Sequence, residues 1–353
     1  MKEFIFLISG IMFLLMTSCS STANIYSLCE KDNKGNYIIK WEITPDPLKG
    51  NVEIYSSSSD DVFKNKKTPF LVANAEDRVA TFKSPTSLSR EYFLIRNNNS
   101  YSGIITNRYI PFDIIQNFRD LGGYFNDDNR QLRWGKIYRS GSLYNLSARD
   151  ISKLQSLNIK TVIDLRNSEE SQLFPDKFKG FSHYQISLDT LSSIELQNKI
   201  TDRDFHRDEA TSYMENAYLS ILERNTEEIK NIFKILLDEN NYPILIHDNL
   251  GKDRTGVIAF LILRALDVNP DDAYSDYILS DDYIDLSSYG RLMRDMPESM
   301  QEAMTIILRA NPDFLDYAFG IITKKYGSLD TYFEKVLGLS ASKRQKLKTI
   351  LTY

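Results

Sequence analysis

From about residue 26 to residue 108 the chain alternates apolar and polar positions in short runs. "NYIIKWEI", "NVEIY", "PFLVA", "RVATFKS", "REYFLIRN" and "YSGIITNRYI" are the clearest of them. Residues two apart share a face of an extended chain, so each run carries one apolar face and reads as a half-buried strand. Turn-rich pieces such as "EKDNKGN", "TPDPLKGN" and "RNNNSYSG" separate the runs. Six or seven short strands at this spacing predict a small all-β sandwich, placed at residues 28–108.

The pattern changes from "IPFDII" onward. "SARDISKLQSLN" predicts a helix with Ser147 as N-cap and Asp150 completing a near capping box. "IKTVIDLR", "HYQISL" and "PILIH" are strand-like. Residues 209–239 read as long helical stretches, with Met214, Ala217, Tyr218 and Ile221 on an apolar face. "NPDDAYSDYIL" and "NPDFLDYAFGIITKKY" each open with an Asn cap and Pro in the first turn, and "SLDTYFEKVLG" and "SASKRQKLKTIL" close the chain. Strands alternating with helices predict an α/β domain over residues 110–353, a central sheet flanked by helices. All of its candidate chemistry lies beyond the β-module, so the two parts are expected to be separable.

The first residues, "MKEFIFLISGIMFLLMTSC", form an export signal over 1–18: Lys2, then an apolar stretch too short to span a bilayer comfortably, then small residues. "MTSC" resembles the lipobox of bacterial lipoproteins, with Cys19 as the lipidated residue and 19–27 as a linker. Ser20 after it favours the outer membrane or cell surface over the inner membrane. With Cys19 acylated, Cys29 has no partner for an internal disulfide and reads as a half-buried strand residue. The net charge of −5 supplies no basic field for nucleic acid or anionic lipid.

The chemistry concentrates in "IHDNLGKDRTG", residues 246–256. A buried strand delivers the chain to a short loop, and an apolar helix, "TGVIAFLILRAL", starts directly behind it. Loop amides and the helix N-terminus together make an anion nest. Arg254 can grip two phosphate oxygens at once, Gly251 allows close backbone approach, and Thr255 can hydrogen-bond into the loop. A cysteine-dependent phosphatase has a thiol directly after the histidine; here Asp248 follows His247.

The loop does not stand alone. "NFRDLGGY" (117–124), "IYRSGSL" (137–143), "TVIDLRNSEE" (161–170), "HDNLGKDRTG" (247–256), "DYILS" (276–280) and "YGSLDTYFEKVLGLS" (326–340) follow in order. Together they closely resemble the bacterial atypical tyrosine and dual-specificity phosphatases of the IphP-like type. The resemblance implies a cysteine-phosphatase α/β fold, no cofactor or metal, and ligands among phosphoproteins, phosphoinositides or other phosphate esters. It assigns phosphate binding to His247, Asn249, Leu250, Gly251, Lys252, Arg254, Thr255 and Gly256, with Arg119 and Asp120 as supports beside the loop. It places Asp189 at the general-acid position and makes Asp253 the second candidate, while the nucleophile's position holds Asp248. Asp189 reads equally well as an exposed loop carboxylate or a helix cap. Trp41, Tyr55 and Tyr92 resemble the aromatic core of a fibronectin type III or immunoglobulin-like module. His183, His206 and His247 are scattered along the chain, so no metal set is expected.

Three readings fit these residues: a pseudophosphatase that binds phosphorylated or anionic ligands, an active phosphomonoesterase using Asp248 as a carboxylate nucleophile, and a structural or adhesive envelope protein acting through its β-module. The polar stretch 192–210 has the length of a lid.

Overall fold

A computed structural model describes residues 23–353, apart from 33, 45–49, 61–62, 64–67, 84–89, 177–179, 191–197 and 203. Residues 1–18, expected to be an export signal, and Cys19 lie outside the described residues, as does part of the 192–210 stretch.

The N-terminal unit is all β. Strands β1 (Asn24–Lys31), β2 (Asn36–Thr44) and β5 (Val79–Lys83) form one antiparallel sheet. Strands β4 (Leu71–Asn74), β3 (Asn51–Ser57), β6 (Tyr92–Asn97) and β7 (Ser100–Tyr101) form the other. The alternation read from the sequence is the cause: in β2, Tyr37, Ile39, Trp41 and Ile43 are buried while Lys40 and Glu42 face out. These side chains meet Val52, Ile54, Phe93 and Ile95 of the other sheet in one core, the mark of a sandwich. β1 begins at Asn24, inside the stretch expected to be linker. The aromatic core also differs from the expected trio. Trp41 belongs to it, with its indole Nε1 donating to the Ala75 carbonyl at 3.0 Å, but its companions are Tyr37, Phe82 and Phe93. Tyr55 turns its hydroxyl to Glu53 at 2.6 Å, and the Tyr92 ring lies beside Arg90. Cys29 is buried in β1, and burial pushes its thiol up to about 12.

The C-terminal unit is built on a five-stranded sheet in the order β11, β10, β12, β9, β8. These are Ser182–Gln185, Thr161–Asp164, Ile244–His247, Ile137–Ser140 and Arg119–Asp120. The first three pairings are parallel and the last is antiparallel. The central strands are buried throughout, as parallel strands covered on both faces must be. Helix α1 (Ala148–Ser156) starts at a full capping box, Ser147 with Asp150. The Asp150 carboxylate also accepts from the amides of Asp113 and Ile114 at 2.7 and 3.1 Å, so one residue caps a helix and ties down the entry to the domain. Helix α2 (Ser168–Leu173) follows β10, capped by Asn167 and Glu170. Helices α3 (Arg207–Arg224) and α4 (Thr226–Leu236) precede β12, and α5 (Arg254–Ala265) leaves the loop after it. α5 is buried almost all round, with Val257 to Leu263 inaccessible, which sets its N-terminus rigidly behind the loop. Asn269 and Asn311 cap the next long helices with Pro at the first position, as their sequences predict. "SLDTYFEKVLG" forms a short helix and then one π-helical turn, Tyr332–Val336.

The two units are interlocked rather than merely tethered. Arg90, from the β-module, inserts its guanidinium against the fully buried carboxylate of Asp120 and donates to the Asn107 carbonyl at 2.8 Å. Trp134 Nε1 donates to the Ile104 carbonyl at 2.7 Å, and Gln131 pairs with both backbone groups of Ile104 at 2.8 Å. The Tyr353 hydroxyl donates to Asp60 at 2.6 Å.

Candidate phosphate-binding loop

The loop from His247 to Arg254 joins β12 to α5. Its shape is held from below by buried polar side chains. Asn117, in the left-handed region at φ 58°, donates its amide to the Leu250 and Gly251 carbonyls at 3.0 and 2.9 Å. Arg139, at the end of β9, donates to the Gly251 carbonyl at 2.6 Å. Gly251 itself has φ 69°, and a Cβ there would stand 2.4 Å from the Ser140 carbonyl carbon and oxygen. Only glycine permits that approach.

Beneath this, Arg119 and Arg139 share one carboxylate. Arg119 Nε donates to Asp276 Oδ1 at 3.2 Å and Arg139 donates to Oδ2 at 2.7 Å. All three side chains are buried. Burial and the neighbouring Arg139 push Arg119 down to about 10, and the two guanidiniums hold Asp276 below the usual carboxylate range despite its burial. Arg119 therefore acts on the loop at one remove, through Asn117 and Asp276. Asp120 does not sit beside the loop in this network. Its oxygens accept from Arg90 and from the amides of Gly122 and Gly135, so it holds the joint between the units.

Asp248 occupies the nest. It is 2% exposed, Oδ1 accepts from the Gly251 amide at 2.5 Å, and Oδ2 accepts from the Thr255 amide at 3.0 Å. The second of these is an orphan donor of the α5 N-terminus, which favours an anion by its dipole as well. Thr255 contributes this backbone amide; its hydroxyl, buried, has no hydrogen-bond partner among the described residues.

Arg254 is turned to a second carboxylate. Its two terminal nitrogens donate to Glu170 at 2.6 and 2.8 Å, a bidentate pair. Burial works against charge on both partners, yet the pairing holds Glu170 below its ordinary range and Arg254 above its own. Asn249 also donates to Glu170 at 2.5 Å. Glu170 was visible in the sequence only as the last residue of "NSEE" after the strand. Its role as capping residue of α2 is local, but its reach to Arg254 is not.

Lys252 is fully buried and donates to Asp253 at 2.5 Å. The Tyr218 hydroxyl donates to the same Asp253 oxygen at 2.6 Å and lies 2.7 Å from the Tyr277 hydroxyl. One Asp253 oxygen therefore accepts from both an ammonium and a phenol. Leu250 is half-buried and Gly256 packs against the Tyr277 ring. Asp189 is exposed, and its backbone is clamped by Asn225 through bonds of 2.8 and 2.9 Å, leaving the carboxylate at the surface.

Two of the histidines that lie far apart in the chain come close together in the fold. The parallel register places Asp164 opposite His247 and Val162 opposite His183. Asp164, Asp176, His183 and His247 thereby bring ligand-type atoms within 4.8 Å of one another.

A strand, a loop ending in arginine and a buried helix, set on a mostly parallel sheet, define the class: a phosphatase fold of the phosphate-loop type. The chain belongs to the tyrosine phosphatase family, whose model matches residues 110–353. It is 28% identical over 233 residues to a Cupriavidus necator protein provisionally named a tyrosine-protein phosphatase, covering 65% of this chain and 84% of that one. It is 26% identical over 274 residues to the triple specificity protein phosphatase PtpB of Mycobacterium tuberculosis, covering 67% of this chain and 96% of that one. Among solved structures it is similar to the core catalytic domain of the PP-IP phosphatase Siw14 from S. cerevisiae, at 19% identity and a TM-score of 0.28, covering 62% and 96% of the two chains. At that score the likeness carries no weight for function.

Proposed function

We propose that this protein is a pseudophosphatase: a tyrosine-phosphatase scaffold, exported and lipid-anchored through Cys19 at the outer membrane or cell surface, that binds phosphorylated or anionic ligands without turning them over. One observation carries the reading. The position of the thiol nucleophile holds a carboxylate whose two oxygens both accept backbone amides of the nest, from Gly251 and Thr255. A carboxylate held this way repels an incoming phosphate and has neither the thiolate's nucleophilicity nor a free oxygen aimed outward. Arg254 supports the binding half of the proposal. It stands at the loop's end with 11% of its side chain exposed, and a ligand oxygen can exchange with Glu170 for its two donors.

The N-terminal sequence supports anchoring, and the fibronectin-type reading of the β-module fits its three- and four-stranded sheets. The decisive experiment is hydrolysis of a generic aryl phosphate by purified wild-type protein. No turnover, with measurable binding of a phosphopeptide or inorganic phosphate, is expected. Turnover that disappears in Asp248→Asn would replace the proposal with an aspartyl-phosphate mechanism. Ligand contacts mapping solely to residues 23–108 would replace it with an adhesive role for the β-module. Cys19→Ala should release the protein from the membrane fraction.

A further inference from the structure

The nest and Arg254 leave unexplained a second polar cluster, on the far side of His247. His247 is fully buried, and neither ring nitrogen has a hydrogen-bond partner among the described residues. Asp176 Oδ2, also inaccessible, makes no well-aligned hydrogen bond among the described residues and has the two imidazoles as its neighbours. His247 Nε2 lies 3.1 Å from Asp176 Oδ2, and His183 Nε2 lies 3.7 Å from the same oxygen. Asp164 Oδ1 stands 3.8 Å from His247 Nε2. Buried polar groups are ordinarily held by well-directed hydrogen bonds, so a cluster that packs its groups this closely without them invites an explanation.

We infer that this cluster is a binding site for a divalent transition-metal ion of the zinc type, with His183 Nε2, His247 Nε2 and Asp176 Oδ2 as ligands. Two imidazoles and a carboxylate form a mixed nitrogen and oxygen set suited to such ions rather than to calcium or magnesium. The spacing agrees: ligand bonds of ~2.0–2.1 Å at tetrahedral angles put neighbouring ligand atoms about 3.3 Å apart. The two imidazole-to-carboxylate distances, 3.1 and 3.7 Å, bracket that value, and all the ligand-type atoms of the cluster lie within 4.8 Å of one another.

Arg166 is the obvious opposing charge, and its contacts are compatible with the ion. It takes Asp176 through Oδ1 at 3.0 Å, leaving Oδ2 to the imidazoles, and it binds both oxygens of Asp164 at 2.8–2.9 Å. It thus orients the ligating carboxylate from behind, as outer partners of metal ligands do. Asp164 has both oxygens engaged and belongs to this outer layer. Two carboxylates against one guanidinium leave the cluster one net negative charge before any cation enters.

Access is provided. Asp164, Asp176 and His183 line a cavity of about 300 Å³, together with Gln185 and Phe181. The His183 side chain is 42% exposed, so the ligand set opens to solvent on one side and leaves a coordination position free. The ion would lie directly behind the residue that precedes Asp248 and would fix the strand end from which the loop departs.

The test is equilibrium dialysis of the chelator-treated full-length protein against Zn2+, with metal content measured afterwards, and the visible spectrum of Co2+ as a geometric probe. One equivalent bound and a four-coordinate Co2+ spectrum are expected. His183→Ala, on the exposed edge strand β11, should fold normally and weaken binding by at least the ~100-fold that loss of an outer partner alone can cost. Asp176→Asn should weaken it likewise. His206→Ala removes an exposed imidazole 3.3 Å from Asp204 and should change nothing. Less than half an equivalent in wild type, unchanged binding in a folded His183→Ala variant, or loss of binding in His206→Ala instead would each overturn the assignment.

Discussion

Replacing Asp248 by alanine separates the two halves of the proposed function, because the side chain both fills the nest and repels what the nest would otherwise bind. In the unliganded protein its carboxylate accepts from Gly251 and Thr255 at 2.5 and 3.0 Å. Hydrogen bonds to a charged group contribute roughly 1.5–3 kcal/mol each, and the two donors would be left without the side chain that satisfies them, so the apo variant should lose about 3 kcal/mol of stability. Anion binding should move the other way. A phosphate oxygen about 4 Å from the carboxylate is repelled by about 4 kcal/mol at an effective dielectric near 20. Unscreened, that is a factor of ~1,000 in affinity. Arg254 lies close enough to offset part of it, so a gain of about 100-fold is the working expectation. Titration calorimetry with sulfate and nitrate distinguishes charge from volume: the dianion should gain more than the monoanion. Saturating sulfate should restore most of the lost stability, since ligand at 100 times its Kd returns about 2.7 kcal/mol. Equal affinities in wild type and variant, or equal gains for the two anions, would refute the reasoning and mean that repulsion by Asp248 is not what limits anion entry.

Three further outcomes are expected. Asp248→Cys places a thiol at a helix N-terminus with Arg254 in reach, and should confer weak aryl-phosphatase activity that Arg254→Ala abolishes; activity should stay low because Asp253 is engaged by Lys252 and Tyr218 and Asp189 lies exposed. A thiol variant that binds phosphate but never turns over would show that the loss reaches beyond the nucleophile. Glu170 titrates lower in the folded protein than in the unfolded chain, so its pairing with Arg254 contributes full stability above the unfolded carboxylate value of about 4.3 and loses it as pH falls through the lower folded value. Glu170→Gln should therefore flatten the acid limb of a pH-stability curve, and an unchanged limb would count against the pairing. Arg90→Ala strips a buried carboxylate of its cation and should cost about 3 kcal/mol. Melting of both units together, seen by calorimetry, would mark Arg90 and Asp120 as a shared joint, whereas loss confined to the β-module would not.

Much of this architecture is written in local pattern. The alternation of β2, the capping box at Ser147 and the Asn–Pro starts at Asn269 and Asn311 are properties of a few neighbouring residues, and each recurs in the fold. The frame of the loop is equally local, since strand, glycine, arginine and apolar helix are consecutive. Contacts across long sequence separations were a different matter. Glu170 lies 84 residues from Arg254, and nothing in "NSEE" distinguishes a helix cap from a clamp on the phosphate-binding arginine. Asp120 looked like a loop support because it follows Arg119, but successive residues of a strand point to opposite sides, and its side chain meets the β-module instead. Nothing local reveals that Arg90 and Tyr353 reach across between the two units. The cluster around His247 shows the physical reason most plainly. His183 and His247 are far apart in the chain, and only the parallel pairing of β10 with both β11 and β12 brings their imidazoles to one carboxylate. The chain determined which groups exist and which short elements they ride on. Strand order and register, set by how those elements bury their apolar faces together, decided which charges meet.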